Sequence, residues 1–500
     1  MSDSLRELWL RGVAFNAAAP AEVLIRLLDD GAGEAALAMC EGRDLPDAAL
    51  EAALRHPSVR IRRALACNLR VDPARLAPLA SDPSGLVRAQ LAGGTRHQPR
   101  WVRPLPTDIL VTFLTAQDGG EDGRVTAQEI AGELWSSRQV PASFPRDVAG
   151  HDHPALRLYA AHQWLSLTPA QRTMLLDDPD PTVREAAHSG SRRLDPQQVA
   201  AILPSLAPRN RWFVLATSPL TPAVVEQCFA EGDLPPLARN RYTPAHVLAR
   251  LARNPDAEIR RLVAARPDLD PEAAARLSKD PDGGVRLLAR LHPSIRTWAE
   301  FEAVKWVVGH GLDCTCPITR PVTAPPSDWY ITCAASEEPV LRRVAASRPG
   351  LPAQLVGDLA QDEDEEVRVR LACHHPLAPP RLLLDVFVSR PAHRPHLLTL
   401  PAFPRTGTAH LAGHPDPAVR ALAAADPALR EPPLTDPDAT VRRAAAANPA
   451  LTPDTLESLL TDPRTAEGAA ANPSLPVARM HVLLGHREDG ATPGPRAVRH

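Results

Sequence analysis

One short phrase returns along the whole chain: an acidic residue and a proline, a few variable residues, then an aliphatic residue followed by arginine. Near the C-terminus it reads Asp436-Pro437-Asp438-Ala439-Thr440-Val441-Arg442. Pro255 to Arg260 reads Pro-Asp-Ala-Glu-Ile-Arg, and 26 positions later Pro281 to Arg286 reads Pro-Asp-Gly-Gly-Val-Arg. Ile61-Arg62 and Val87-Arg88 are 26 apart, as are Leu341-Arg342 and Val367-Arg368. Leu156-Arg157 and Val183-Arg184 continue the series, Val419-Arg420 and Val441-Arg442 are 22 apart, and Asn448-Pro449 precedes Asn472-Pro473 by 24. A period of 22 to 27 residues marks one supersecondary unit per repeat, and the chain has room for roughly 15–18 of them.

The punctuation inside a unit predicts its local structure. The Asp before Pro (Asp82, Asp178, Asp280, Asp436) reads as a helix N-cap with proline in the first turn. The alanine-rich stretch after it, such as Val441 to Ala447, reads as a short helix. Asn448-Pro449 ends it, because the residue before proline is pushed out of the α region. Thr452-Pro453 then caps a second short helix with Leu456, Leu459 and Leu460 on one face. Helices under ~12 residues are marginal alone, so these must stack on their neighbours. The expected fold class is all-α, a solenoid of short helix pairs.

Asn-Pro-x-Leu-x-Pro, a leucine helix and then Asp-Pro-x-x-x-Val-Arg together resemble the leucine-rich repeat variant family, kin of HEAT-type repeats, over most of residues 15–484. The resemblance implies a right-handed superhelix of alternating α- and 3₁₀-like helices, an extended concave surface, and no catalytic residues.

Composition narrows the function classes. At 500 residues the chain exceeds the ~250–300 that one core supports. Lys+Arg is 56 against Asp+Glu 59, a net −3, which argues against a generic polyanion binder. Only Lys279 and Lys305 are lysines, so positive charge means guanidinium. Proline is 55, about twice the usual ~5% share. No apolar run nears the ~18 residues of a membrane span, the start lacks a secretion signal, and seven irregularly spaced cysteines fit reduced thiols. The expectation is a cytoplasmic protein. No catalytic motif or phosphate-cradling loop appears, so no enzyme is expected.

Two segments break the rhythm, dividing the chain into repeats 1–103, an insertion 104–135, repeats 136–292, an insertion 293–332, repeats 333–484 and a flexible tail 485–500. In the first insertion, Asp118, Asp122 and Glu129 stand at positions 1, 5 and 12 of a calcium-loop pattern, with Gly120 where position 3 needs an oxygen. The competing reading is a capping box, Thr126-Ala127-Gln128-Glu129, with Val125 and Ile130 as its staple. The second insertion gathers Trp298, Phe301, Trp306, Trp329 and Tyr330. Its Cys314, Cys316 and Cys333, with Cys373 or His374, form a candidate zinc or iron–sulfur ligand set. Against that, Cys-x-Cys is not the usual zinc spacing, and Cys67 and Cys373 occupy the place of the small core residue Ala447.

The arginines after the aliphatic anchors pose another choice: Arg62, Arg88, Arg157, Arg184, Arg260, Arg286, Arg342, Arg368, Arg420 and Arg442. They form either an electropositive ridge or a structural ladder bonding the acids and carbonyls of adjacent units; near-neutral charge favours the ladder. Arg209, Arg211, Trp212 and Phe213 are one mixed basic–aromatic cluster. The histidine pairs 151/153, 374/375 and 410/414 suggest metal, but His56, His153 and His414 precede proline as cap substitutes. Glu363-Asp364-Glu365-Glu366 reads as the acidic start of a helix. The expected function is a non-enzymatic scaffold binding a protein or peptide on its concave surface. Trp298, Trp306, Trp329, Tyr330, Arg209, Arg211 and Trp212 are its candidate contacts. The alternatives are a metal-responsive adaptor and a nucleic-acid-binding HEAT-like protein.

Overall fold

Helices too short to persist alone make up the regular structure. The computed structural model describes residues 5–29, 33–94, 104–116, 123–137, 139–311 and 325–485. Among the described residues every regular element is helical and none is a strand. The longest helix, Pro181–Arg192, has 12 residues. This is an all-α repeat fold in which helices pack neighbour to neighbour. Two compact units emerge, residues 1–139 together with 383–500, and residues 140–382. The expected tail, 485–500, lies outside the described residues after Gly485.

Within a repeat, the aliphatic–arginine helix buries its anchors against the second helix. Ile259, Val263 and Ala264 of Ala257–Ala264 share one core with Leu269, Ala273 and Leu277, and the next repeat adds Val285 and Ala289. Second helices are capped as expected: Thr452 Oγ1 accepts from the Thr455 N–H and Asp270 from the Ala273 N–H. Pro73–Ser81 is instead a 3₁₀ helix with Pro78 inside it.

In the recurring phrase, Asp82, Asp178, Asp280 and Asp436 are not the N-caps. The cap stands two residues later, at Asp180, Asp282 and Asp438, with Ser84 at the same place. The earlier carboxylate accepts that residue's N–H instead, at 2.9 Å from Asp82 to Ser84, Asp178 to Asp180, Asp280 to Asp282 and Asp436 to Asp438. It therefore shapes the turn entering the helix, with its second oxygen left for another donor. Histidine Nδ1 fills the same role at His56 and His414, accepting from Ser58 and Asp416. In the third case the residues are shifted: His151 takes the turn position and His153 is the true cap.

Asn448 does more than end a helix. Its Nδ2 donates to the carbonyls of Ala424, Asp426 and Leu429 in the preceding repeat, while its Oδ1 accepts the Ala450 N–H. Asn472 repeats this one unit on, donating to Ala446 and Asn448 at 3.0 and 2.7 Å. Asn68 donates to Cys40 and Arg43, and Asn240 to Leu215 and Ser218. Guanidinium replaces the amide at Arg43, which reaches Ala14 and Asn16, and at Arg266, which reaches Ala238 and Asn240. These are the carbonyls that a helix C-terminus leaves without partners.

Unit 1 carries this ladder across the two ends of the chain. Asn16 Nδ2 donates to the carbonyls of Ala470 and Asn472, 3.0 and 2.6 Å away. The Leu5–Phe15 helix thus stacks on Ala466–Ala471. A linear reading of the repeats does not anticipate this contact.

Both interruptions contribute helices to the stack. Ala127–Ser136 packs on Gly85–Gly93 where a repeat helix belongs, and Gln139 Nε2 then donates to the carbonyls of Leu91 and Ala92. In unit 2, Trp298–Val308 and Ser327–Ala334 both pack on Pro339–Ala346, and Trp329 Nε1 ties back to the Ser294 carbonyl at 2.8 Å.

The ladder makes a specific prediction. Asn472→Ala leaves the buried Ala446 and Asn448 carbonyls without their side-chain donor, and each such group costs ~1–3 kcal/mol. Urea unfolding should show the variant weakened by about 2–3 kcal/mol. Exposed Asn210→Ala should stay within about 0.5 kcal/mol of the parent. Equal behaviour of the two would remove the amide ladder as a stabilising element.

Candidate functional site

The arginine series resolves into clamps. Arg260 Nε and Nη2 donate to the two carboxylate oxygens of Asp280, 2.7 and 2.9 Å away, and Nη1 donates to the carbonyls of Asn254 and Pro255. The same fork joins Arg62 to Asp82, Arg157 to Asp178, Arg342 to Asp362 and Arg420 to Asp436. In four of the doublets the next arginine wraps its own turn: Arg184, Arg286, Arg368 and Arg442 donate to the carbonyls of Asp178, Asp280, Asp362 and Asp436. Arg261 and Arg343 add a parallel set, paired with Asp282 and Asp364. These guanidiniums are spent on their own chain rather than presented as a ridge.

The pairing holds the carboxylates ionised. The Arg260 fork keeps Asp280 below its ordinary value, as the forks of Arg157 and Arg420 do for Asp178 and Asp436. Asp282, bonded to Arg261 and to backbone N–H groups, is held down to about 2.

The candidate metal ligands fall apart by location. Cys314, Cys316, Asp118 and Asp122 lie outside the described residues. Cys333 and Cys373 are buried, and burial pushes the Cys333 thiol up to about 12. Cys40 is pushed to about 12 and Cys228 to about 11 for the same reason. Glu129 is the N3 residue of the capping box: its carboxylate accepts from the Thr126 N–H while Thr126 Oγ1 accepts from the Glu129 N–H. Among the described residues no group of three or more His, Cys, Asp or Glu side chains is placed to hold a metal ion.

The aromatic residues of the second insertion turn inward. Trp298 lies under the Arg266 guanidinium at 4.8 Å and edge-on to Phe301. Trp306 stacks on His310, meets His374 edge-on and carries Arg370 at 5.2 Å. Trp329 meets Tyr330 edge-on, and Tyr330 is buried with Arg348 4.8 Å from its ring. These side chains fasten helices to one another. The Pro208–Thr217 helix is different. It buries Leu215 but leaves Trp212 41% and Phe213 59% exposed. Arg209 beside them is exposed, and Arg239 lies 5.5 Å from the Trp212 ring. Arg211 is occupied by Glu231 and Asp233. Phe213 was grouped with Arg209, Arg211 and Trp212 from sequence, but only exposure separates it from the buried aromatics.

No family model matches the chain, and no curated protein does. Among solved structures it is similar to an engineered protein at 16% identity, over 90% of this chain and 97% of that one. The TM-score is 0.11, too low to bear on the fold. Among the described residues no helix is long and apolar enough to cross a membrane.

Two measurements follow. The carboxylates of Asp178, Asp280 and Asp436 are depressed in the folded state, so their stabilisation is complete above the ordinary aspartate value of 3.8 and is lost as pH falls through the folded values. The melting temperature should be level from about pH 7 to 5 and fall between about pH 4 and 2. Arg260→Met should lower it at neutral pH and make the acid fall shallower; an unchanged acid slope would show that this clamp does not carry it. Separately, peptide mapping after alkylation of native protein should leave Cys40 and Cys333 unmodified and find both modified in denaturant. Rapid native labelling of Cys333 would contradict its burial.

Proposed function

We propose that this chain is a non-enzymatic repeat scaffold that captures a protein or peptide segment of apolar and acidic character on the Pro208–Thr217 face of unit 2. The observation that carries the reading is the exposure of adjacent Trp212 and Phe213 on one helix. Large aromatics and arginine are the side chains that anchor protein interfaces. Arg209, exposed beside them, supplies a charge for an acidic partner residue. The clamp arginines support the same reading from the other side, since cations already bonded to Asp280 or Asp82 release few counterions to a nucleic acid.

The test compares parent protein with Trp212→Ser/Phe213→Ser in quantitative affinity purification. Both side chains are exposed, so the variant should keep its circular dichroism spectrum and melting temperature. A specific partner should fall at least about tenfold in recovery, the size expected from losing one or more anchors of over ~1 kcal/mol. Undiminished recovery of every partner would remove this face from the function. Salt-dependent retention on DNA, equal in parent and variant, would favour the nucleic-acid alternative.

A further inference from the structure

The junction between the chain's two ends in unit 1 is built like an interface inside the repeat array, yet its halves are joined through more than 450 residues of intervening chain. Asn16 donates to Ala470 and Asn472 across a separation of 454 and 456 residues, in the geometry by which Asn472 donates to Ala446 and Asn448 at 26 and 24. The close approach is also shared. A Cβ at Gly12 would sit 2.2 Å from the Glu467 carbonyl oxygen, and one at Gly468 would sit 2.1 Å from that of Arg443. Gly12 and Gly468 each stand four residues before their asparagine. Trp9 Nε1 adds a bond to the Leu460 carbonyl at 2.8 Å, and Arg26 meets His481 at 2.7 Å.

The two halves are complementary and unlike. The N-terminal face offers a donor amide and a glycine; the C-terminal face offers carbonyls and Ala470, whose Cβ would lie 2.5 Å from a Cβ at Gly12. Such a head-to-tail contact does not specify whether both faces belong to one chain. We infer that this junction is an exchangeable docking site whose second occupant is another copy of the same chain: the Leu5–Phe15 repeat of one molecule takes the Ala466–Ala471 face of another. In dilute solution the tether favours closure within one chain, because joining two faces of one molecule does not depend on concentration. Between chains the same bonds form once self-closure is blocked.

Complementation tests this. Gly12→Val spoils only the N-terminal face and Ala470→Leu only the C-terminal one, so neither chain can close on itself or join its own kind. Mixed one to one, each pair retains one intact N-terminal and one intact C-terminal face. Light scattering should report the mixture at twice the chain mass of 53.9 kDa and each variant alone at that mass. A mixture that stays monomeric overturns the inference, as does association of either variant alone. Gly413→Ala, with open space at its Cβ, should behave as the parent. If a variant fails to fold, parent protein carrying two different tags is incubated in sub-denaturing urea at high concentration and returned to buffer. Mixed-tag dimers then sustain the inference, and monomers alone overturn it.

Discussion

A helix of eight residues leaves about twice as many unsatisfied backbone groups at its ends as it makes bonds in its middle. Much of the architecture follows from how its C-terminal carbonyls find donors. Here the donor comes from the following repeat: an asparagine amide, or a guanidinium at Arg43 and Arg266. One side chain completes the preceding helix with its nitrogen and sets its own turn with its oxygen, as Asn448 does through Ala424 and Ala450. Folding of one unit therefore requires the next, which is why segments that would be unstable peptides persist here. The substitution at position 266 has its own requirements. Arg266 is wholly inaccessible, and burying that charge is tolerable because Asp268, two carbonyls and the Trp298 face surround it. Lysine would keep the charge but lose the planar fork that meets Asp268 and the carbonyls at once.

The clamps give the array a second rhythm of two units. A fork forms where the following unit begins with a suitably placed aspartate, as Asp280 follows Arg260. Arg286 and Arg368 hold their own turns through Asp280 and Asp362; after Arg286 comes the segment around Trp298. This accounts for a chain with 56 basic residues and only two lysines. A bidentate bond to carboxylate with a third nitrogen on carbonyls is guanidinium geometry.

What could be read from the chain before folding was the part carried by spacing. The period, the Thr452 cap, the Thr126–Glu129 capping box and the pairing of arginines with acids all lie in local or one-repeat-distant patterns. The role of Asp280 was misplaced by two residues because Asp-Pro and the following Asp282 both look like caps; only the helix start separates a turn-former from a cap. The amide ladder was visible as recurring Asn-Pro but read as a stop signal, since a side chain bonding 24 residues back leaves no local trace. The segment around Ala127–Ser136 lacks the repeat phrase yet fills a repeat's place. Packing there needs only Ile130 and Leu134 inward, a weaker requirement than the motif. Aromatic content pointed to Trp298–Tyr330 for contacts, whereas in the folded state it is Trp212 and Phe213 that lie exposed side by side.

The end-to-end contact in unit 1 changes what the terminal repeats must be. In an open array the first and last units expose core-like faces, and solubility then demands polar capping repeats. The Leu5–Phe15 helix is no such cap: Leu10, Val13 and Ala14 are buried, and Gly12 is small because the Glu467 carbonyl stands where its side chain would be. The Ala466–Ala471 face is equally core-like, with Ala466, Ala469 and Ala470 inaccessible. Each end supplies the surface the other would otherwise need, so neither has to depart from the repeat pattern. The constraint this imposes is joint. Residue 12 and residue 470 sit far apart in the sequence, yet the Ala470 side chain stands 2.5 Å from where a Cβ at Gly12 would be, so neither position has room for a larger residue.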